Sequence, residues 1–224
     1  MQGMRIEPVE ARNAVVRPAG GTVRLADSIE LPGFSMRFDR DEEIFGESES
    51  ADFVYKVVSG AVRSFRVLSD GRRQITGFHL PGDVFGLELG ADHRCSAEAT
   101  VSSEIALVRR TALGRLAAAD LAAAGQLLAM TGAELNQARE QALLLGRKSA
   151  VERVASFLLE MTARAPAERG TELPMSRSDM ADYLGLTIET VSRTLTQLER
   201  EHAITLQTAR RIVLHDRHAL DLAA

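Results

Sequence analysis

Apolar residues follow two different rhythms along this chain, and the change between them falls near Arg110. Before it, from Leu31 to Arg109, they come in short runs broken by turn signals. Residues 53–58 are strand-like and stop at Ser59-Gly60. Residues 61–68 alternate, which predicts Val62 with Phe65 or Val67 facing inward and the arginines outward. Asp70-Gly71 is the dipeptide of a tight hairpin, and strand-like residues 74–80, a Pro81-Gly82 turn and an apolar run at 105–108 follow. Short strands at this spacing predict an antiparallel β-barrel or jelly roll over 31–119. Residues 1–30 show no sustained rhythm and include Gly20-Gly21, which predicts a loosely structured arm.

Past Arg110 the spacing becomes helical. Residues 111–118 suit a short helix. From there Leu121, Ala124, Leu128, Thr131, Leu135, Ala138, Ala142 and Leu145 recur at alternating spacings of three and four. That is a heptad seam, and it predicts a long dimerisation helix over 120–146 with Leu121, Leu128, Leu135, Ala138, Ala142 and Leu145 at the interface of a homodimer. Packing against the chain's own barrel is the alternative, and Leu127, Met130, Leu143 and Leu144 widen the apolar arc enough for both. A further helix over 149–163 carries Val151, Val154, Phe157, Leu158 and Met161 on one face, before a polar loop at 165–170. The boundary falls at residues 146–148, leaving 147–224 as a second domain. The fold class is therefore α+β.

The second domain holds the most informative stretch, residues 175–201. Ser176 with Asp179 three residues on approximates a capping box, and Met180, Tyr183 and Leu184 give the helix an inward face. Gly185 supplies the turn and Leu186 a plug between helices. Thr187 caps the next helix, whose inward face is Ile188 or Val191 with Leu195 and Leu198. Glu189, Ser192 and Arg193 then share one outward face, at i, i+3 and i+4. Their chemistry suits base edges: Arg193 can donate twice to a guanine, and Glu189 can hold the guanidinium or accept from an amino group. Ser176, Arg177, Ser178, Thr187, Thr190 and Thr194 are candidate phosphate contacts. Residues 204–207 and 211–214 predict a small hairpin, a wing with Arg210 and Arg211 at its tip. The alternative for the trio is an ordinary surface Glu–Arg pair; the capped helix and the Gly-Leu turn before it favour a winged helix-turn-helix that binds double-stranded DNA.

Charge adds little to this. The net charge is −4, and residues 147–224 hold eleven Lys or Arg against eleven Asp or Glu, so DNA binding must rest on where the arginines sit. No apolar run approaches the roughly 20 residues of a membrane span, and residues 1–21 lack the apolar core of a signal peptide, so a cytoplasmic, nucleoid-associated protein without a membrane partner is expected. Cys95 is the only cysteine, which excludes an intrachain disulfide or an all-cysteine metal site and leaves one candidate redox thiol. His79, His93, His202, His215 and His218 are scattered, and no cofactor or metal is expected.

Residues 182–195, Asp-Tyr-Leu-Gly-Leu-Thr-Ile-Glu-Thr-Val-Ser-Arg-Thr-Leu, resemble the recognition region of the CRP/FNR superfamily of bacterial transcription regulators, in its FixK-like branch. Residues 57–63 and 70–86 and the long helix follow the family order. The resemblance implies a homodimer on a twofold-symmetric site and contact with RNA polymerase. It implies that Glu189, Ser192 and Arg193 read TTGA half-sites of a TTGA-N6-TCAA-type palindrome, since relatives that read TGTGA carry an arginine where this chain has Ile188. Candidate polymerase surfaces are the loop at 70–73 and the loop at 165–171. The cyclic-nucleotide branch carries a glutamate and an Arg-Ser pair after the Pro-Gly turn; here Arg94 is followed by Cys95, a displacement that would turn the arginine to the other face of a strand. Glu88 with Arg94 is the alternative pairing.

The reading is an effector-independent activator of microaerobic and nitrogen-metabolism genes, the last part implied by the resemblance alone. A ligand-gated regulator of the same fold, taking a cyclic nucleotide or another small molecule, is the alternative. An enzyme is not expected: no nucleophile elbow, P-loop, zinc-ligand spacing or paired catalytic carboxylates stand out, and the acids at 41–43, 47 and 49 read as an exposed loop.

Overall fold

The computed structural model describes residues 17–164, 170–215 and 220. The alternating N-terminal runs form nine strands: β1 (Arg17–Ala26), β2 (Ile29–Phe38), β3 (Glu43–Phe45), β4 (Phe53–Ser59), β5 (Val62–Val67), β6 (Arg73–His79), β7 (Val84–Phe85), β8 (Ser96–Ala99) and β9 (Ser103–Arg109). They pair antiparallel in two sheets, ordered β1-β2-β9-β4-β7 and β3-β8-β5-β6. Between the sheets lie Phe38, Phe45, Tyr55, Val57, Val62, Phe85, Ile105 and Leu107. Gly60 makes the corner between β4 and β5 at φ +86°, and a Cβ there would fall 2.7 Å from the Ser102 carbonyl oxygen. Only glycine fits that corner.

The N-terminal arm expected over 1–30 is corrected in its second half, while residues 1–16 lie outside the described ones. Residues 17–26 are β1, which pairs Val23 with Leu31 of β2, and Leu25 and Ile29 are buried beside Val108. The strand lies at a sheet edge, where Pro18 and Gly20-Gly21 cost few ladder bonds, so the sequence hides it.

Helix α1 (Arg110–Ala119) leads to α2 (Leu121–Arg147), capped by the Asp120 carboxylate on the Ala122 and Ala123 amides. One face of α2, with Ala123, Leu127 and Met130, packs on the barrel beside Leu25, Ile29 and Val54. The other face leaves Leu121, Leu128 and Leu135 at 89%, 74% and 51% exposure. Ala138 and Ala142 are exposed as well. Leu145, expected at the same interface, is instead half-buried against the core of its own C-terminal domain.

That domain comprises α3 (Ala150–Arg164), β10 (Thr171–Glu172), α4 (Arg177–Leu184), α5 (Ile188–Arg200), β11 (Ile204–Leu206) and β12 (Arg211–Leu214). The expected hairpin gains a third strand, in the order β10-β12-β11. Residues 165–169 of the polar loop, and residues 216–219 and 221–224, lie outside the described ones.

The two domains meet on the outer face of β5 and β6. Phe78 of β6 packs on Phe157 and Tyr183, at ring separations of 6.0 and 5.3 Å. Beside these rings Arg63 is only 7% exposed. It donates to Asp179 (3.1 Å), Asp41 (3.1 Å) and Glu98 (3.1 Å from Nε). Arg73 donates to Asp179 (2.8 Å) and Asp182 (2.9 Å), and Gln74 donates to the Asp182 carbonyl (2.8 Å). The expected pattern along β5 is corrected accordingly. Val62 faces the space between the sheets, but Phe65 joins the interdomain cluster and Val67 is exposed. Arg63 does point away from the barrel interior, yet a second domain covers it.

Removing one partner from such a buried pair typically costs about 3–5 kcal/mol, because the other charge is stranded. For Asp179, burial pushes its carboxyl up, but hydrogen bonds from Ser176 and the charges of Arg63 and Arg73 outweigh it, and the net shift is downward. An unfolded aspartate titrates near about 3.9, so as pH falls the unfolded chain binds this proton first. The stabilisation from Asp179 is therefore whole above about pH 5 and fades as pH drops through the depressed native value. Asp179→Asn should lower the melting temperature most at neutral pH, and the gap to wild type should narrow below about pH 4. Calorimetry across that range checks it; a gap independent of pH would refute the ionic role.

Candidate nucleic-acid interface

Helix α4 starts where the capping chemistry lies. The Ser176 hydroxyl accepts from the Asp179 amide (3.1 Å), and the Asp179 carboxylate accepts from the Ser176 amide (2.9 Å). The helix stops at Gly185, in the left-handed region with φ 62°, and the Leu186 amide returns to the Ala181 carbonyl. A Cβ on Gly185 would meet Leu145 and Arg153. Arg153 itself was not foreseen. Its guanidinium donates to the carbonyls of Lys148 (2.9 Å), Leu145 (2.8 Å) and Leu184 (2.9 Å), tying the end of α2 to the end of α4.

Helix α5 begins at Thr187, whose hydroxyl accepts from the Thr190 amide. Val191, Thr194, Leu195 and Leu198 are buried and form the inward stripe. Val191 takes the inward place, and Ile188 is exposed beside the cap. Thr194 is thus corrected as a phosphate contact: it shares the stripe of Val191 and Leu198 and is only 5% exposed. Thr187 is exposed, while Ser176, Arg177, Ser178 and Thr190 are half-buried.

The three candidate base readers come together as their spacing requires. Glu189 and Arg193 are exposed and Ser192 is half-buried between them. The Glu189 carboxyl is held below its ordinary range by its own amide, by the Thr187 hydroxyl and by the charge of Arg193. Arg193 donates to the Glu189 carbonyl at 3.5 Å, and among the described residues these two side chains form no ion pair. Both side chains stay accessible to a ligand on the outer face. Thr196, Gln197 and Arg200 continue the same groove along α5. They were missed, although Arg200 stands one heptad after Arg193. From α4, Arg177 donates to the Ser192 hydroxyl at 3.3 Å.

The wing is built on Thr208, whose hydroxyl accepts from the amides of Arg210 (3.2 Å) and Arg211 (2.9 Å). Both arginines are half-buried.

A second concavity lies in the barrel, a cavity of about 180 Å³ bounded by Ser64, His79, Glu88 and Cys95 and by Glu134 of α2. The Ser64 hydroxyl and His79 Nε2 are 2.8 Å apart. Burial first, and Arg164 second, push His79 down to about 4, so its ring is neutral at physiological pH. Glu88 pairs with His93 at 3.1 Å and takes a hydrogen bond from the Arg94 backbone, while the exposed Arg94 side chain does not line the cavity. Burial and the Glu88 charge push the Cys95 thiol up to about 11. At neutral pH it stays protonated, the form that is neither nucleophilic nor easily oxidised. The described lining carries two carboxylates and no arginine or lysine, so it does not fit the phosphate of a nucleotide. No group of three or more His, Cys, Asp or Glu among the described residues is placed to hold a metal ion, and no described helix is long and apolar enough to cross a membrane.

Comparison with known proteins converges on this architecture. Residues 35–120 match the cyclic nucleotide-binding domain, and residues 152–222 match the Crp-like helix-turn-helix domain. The chain is 49% identical over 207 residues to the nitrogen fixation regulation protein FixK of Azorhizobium caulinodans, covering 90% of this chain and 84% of that one. It is 44% identical to FixK of Rhizobium meliloti, covering 80% and 81%. The solved structure of FixK2 from Bradyrhizobium japonicum superposes with a TM-score of 0.84 at 52% identity, covering 85% of this chain and 96% of that one. With this barrel, long helix and helix-turn-helix, and with relatives at that identity, the chain belongs to the CRP/FNR family of DNA-binding transcription regulators and is not an enzyme.

Proposed function

We propose that this protein is a homodimeric activator that reads a TTGA-N6-TCAA-type palindrome with Glu189, Ser192 and Arg193, recruits RNA polymerase, and does so without a small-molecule effector. The observation that carries the DNA reading is the free outer face of α5, where those three residues stand on a helix anchored by Val191, Leu195 and Leu198. Thr187 and Thr190 with Arg210 and Arg211 flank it and would meet phosphates. Ile188 in place of an arginine supports TTGA over TGTGA.

The dimer is supported by the exposed leucines of α2. Three large apolar side chains at heptad spacing on one face of a helix are stabilised by a second copy. Pairing there would hold two α5 helices about 34 Å apart, one turn of DNA. Effector independence is supported by the ion cluster at Arg63, which holds the DNA-binding domain on the barrel using only residues of the chain, and by the acid-lined cavity. The relatives named for nitrogen fixation regulation support control of microaerobic and nitrogen-metabolism genes. The hairpin at 70–73 and the loop at 165–171 remain the proposed polymerase surfaces.

Arg193→Ala should cost about 1–3 kcal/mol per half-site and relax the preference at one base pair. Titration against the palindrome and its single-base variants measures this, and wild-type affinity and preference would refute the assignment. Leu128→Glu with Leu135→Glu should give monomers that bind the palindrome weakly; sedimentation at two concentrations checks this, an unchanged dimer being the contrary result. Purified protein with RNA polymerase and a palindrome promoter should activate transcription with nothing added. A strict requirement for an added nucleotide would establish the ligand-gated alternative instead.

A further inference from the structure

Ser192 is the one member of the base-reading trio whose hydrogen-bond polarity is open, because a hydroxyl can give or take. Its surroundings bias that choice. Arg177, the first residue of α4, lies beneath the exposed rim of α5 and donates from Nη1 to the Ser192 oxygen at 3.3 Å. Arg177 cannot accept, so Ser192 must be the acceptor in this pair. The Arg177 side chain is half-buried and its Nε is enclosed with no partner, so the guanidinium is confined by packing rather than swinging in solvent. Among the described residues the Ser192 hydroxyl makes no other hydrogen bond, and the Thr196 hydroxyl goes to the Ser192 carbonyl instead. Its proton and its second lone pair are therefore left for a partner outside the chain.

We propose that Arg177 is a positioning residue for sequence recognition. By occupying one of the two lone pairs of the Ser192 oxygen it halves the acceptor capacity and leaves the proton whole, so Ser192 favours a base edge offering an acceptor, such as thymine O4 or a purine N7, over the amino group of cytosine. This rests on the reading of α5 given above, and it adds a specificity role to a residue whose expected role was a phosphate contact. The two roles leave different marks. A phosphate contact changes affinity for every sequence alike and contributes to the salt slope; a positioning contact changes preference at the one base pair that Ser192 reads.

The test measures binding of the full dimer, at two salt concentrations, to palindromes carrying each of the four bases at each half-site position. Ser192→Ala should reduce discrimination at one position by about fivefold, the worth of one net hydrogen bond. Arg177→Met, which keeps the stem and removes the donors, should reduce discrimination at that same position by a similar factor, and the double variant should lose no more than either single one. Arg177→Lys, which keeps the charge without the planar fork, should retain the salt slope and lose the discrimination. Uniform weakening by Arg177→Met, with a shallower salt slope and the base preference intact, overturns the positioning role, as does wild-type preference in Arg177→Lys. If Ser192→Ala itself keeps every preference, the base-reading assignment of Ser192 fails and takes this inference with it; a sensitive Ser192→Ala beside an indifferent Arg177→Met overturns the inference alone.

Discussion

The Asp179 carboxylate carries two obligations, and much of the molecule's geometry depends on its meeting both. Within its own helix it closes the capping box with Ser176 and so sets where α4 begins. Across the domain boundary the same group accepts from Arg63 and Arg73. Arg63 is buried and keeps its charge, which would be strongly destabilising there without anionic partners; Asp41, Glu98 and Asp179 supply them from three directions. The apolar contact of Phe78 with Phe157 and Tyr183 adds attraction that is non-directional and so tolerant of rotation. The ion cluster is directional, and it gives the docked domain one preferred angle.

That angle is passed on through short, stiff links. Arg153 fastens the last turn of α2 to the last turn of α4 through three carbonyls, and Gly185 then turns the chain with its Cα against Leu145. Helix α5 follows within three residues, so its orientation is set by α2 on one side and the barrel on the other. In the proposed dimer the free face of α2 would thus bear on the spacing of two α5 helices, because a partner on Leu121, Leu128 and Leu135 would also fix where α5 stands. Leu144 and Leu145 mark the changeover along α2, where the helix stops offering its side chains outward and begins to pack into the C-terminal core.

Local rhythm was enough to read most of these elements. The stripe of Val191, Leu195 and Leu198, the Thr187 cap and the hairpin at Asp70-Gly71 are all properties of a few consecutive residues, and they fold as those residues dictate. Thr194 was misjudged because its hydroxyl suggested a polar role, while its register with Val191 and Leu198 put it inside. Arg63 does face outward as the alternation predicts, but its burial there is not legible. Strand alternation distinguishes one face of a sheet from the other but says nothing about what lies on the outer face, and here that is another domain, over 100 residues further along the chain. Strand β1 escaped notice because an edge strand tolerates Pro18 and two glycines that elsewhere would forbid it. Arg153 was invisible for want of any local signal, since its partners are three backbone carbonyls.

The same alternation bears on what switches the reader. Arg63 and Ser64 are neighbours on β5 and point to opposite sides of the sheet: Ser64 lines the barrel cavity, and Arg63 faces the DNA-binding domain. Arg73 likewise spends its charge on α4. On these two strands Arg63 and Arg73 therefore turn outward to Asp179 and Asp182, while Ser64 and His79 line the cavity. Arg63 and Arg73 are thereby engaged with the second domain and stand apart from the cavity, whose described lining carries two carboxylates and no arginine or lysine.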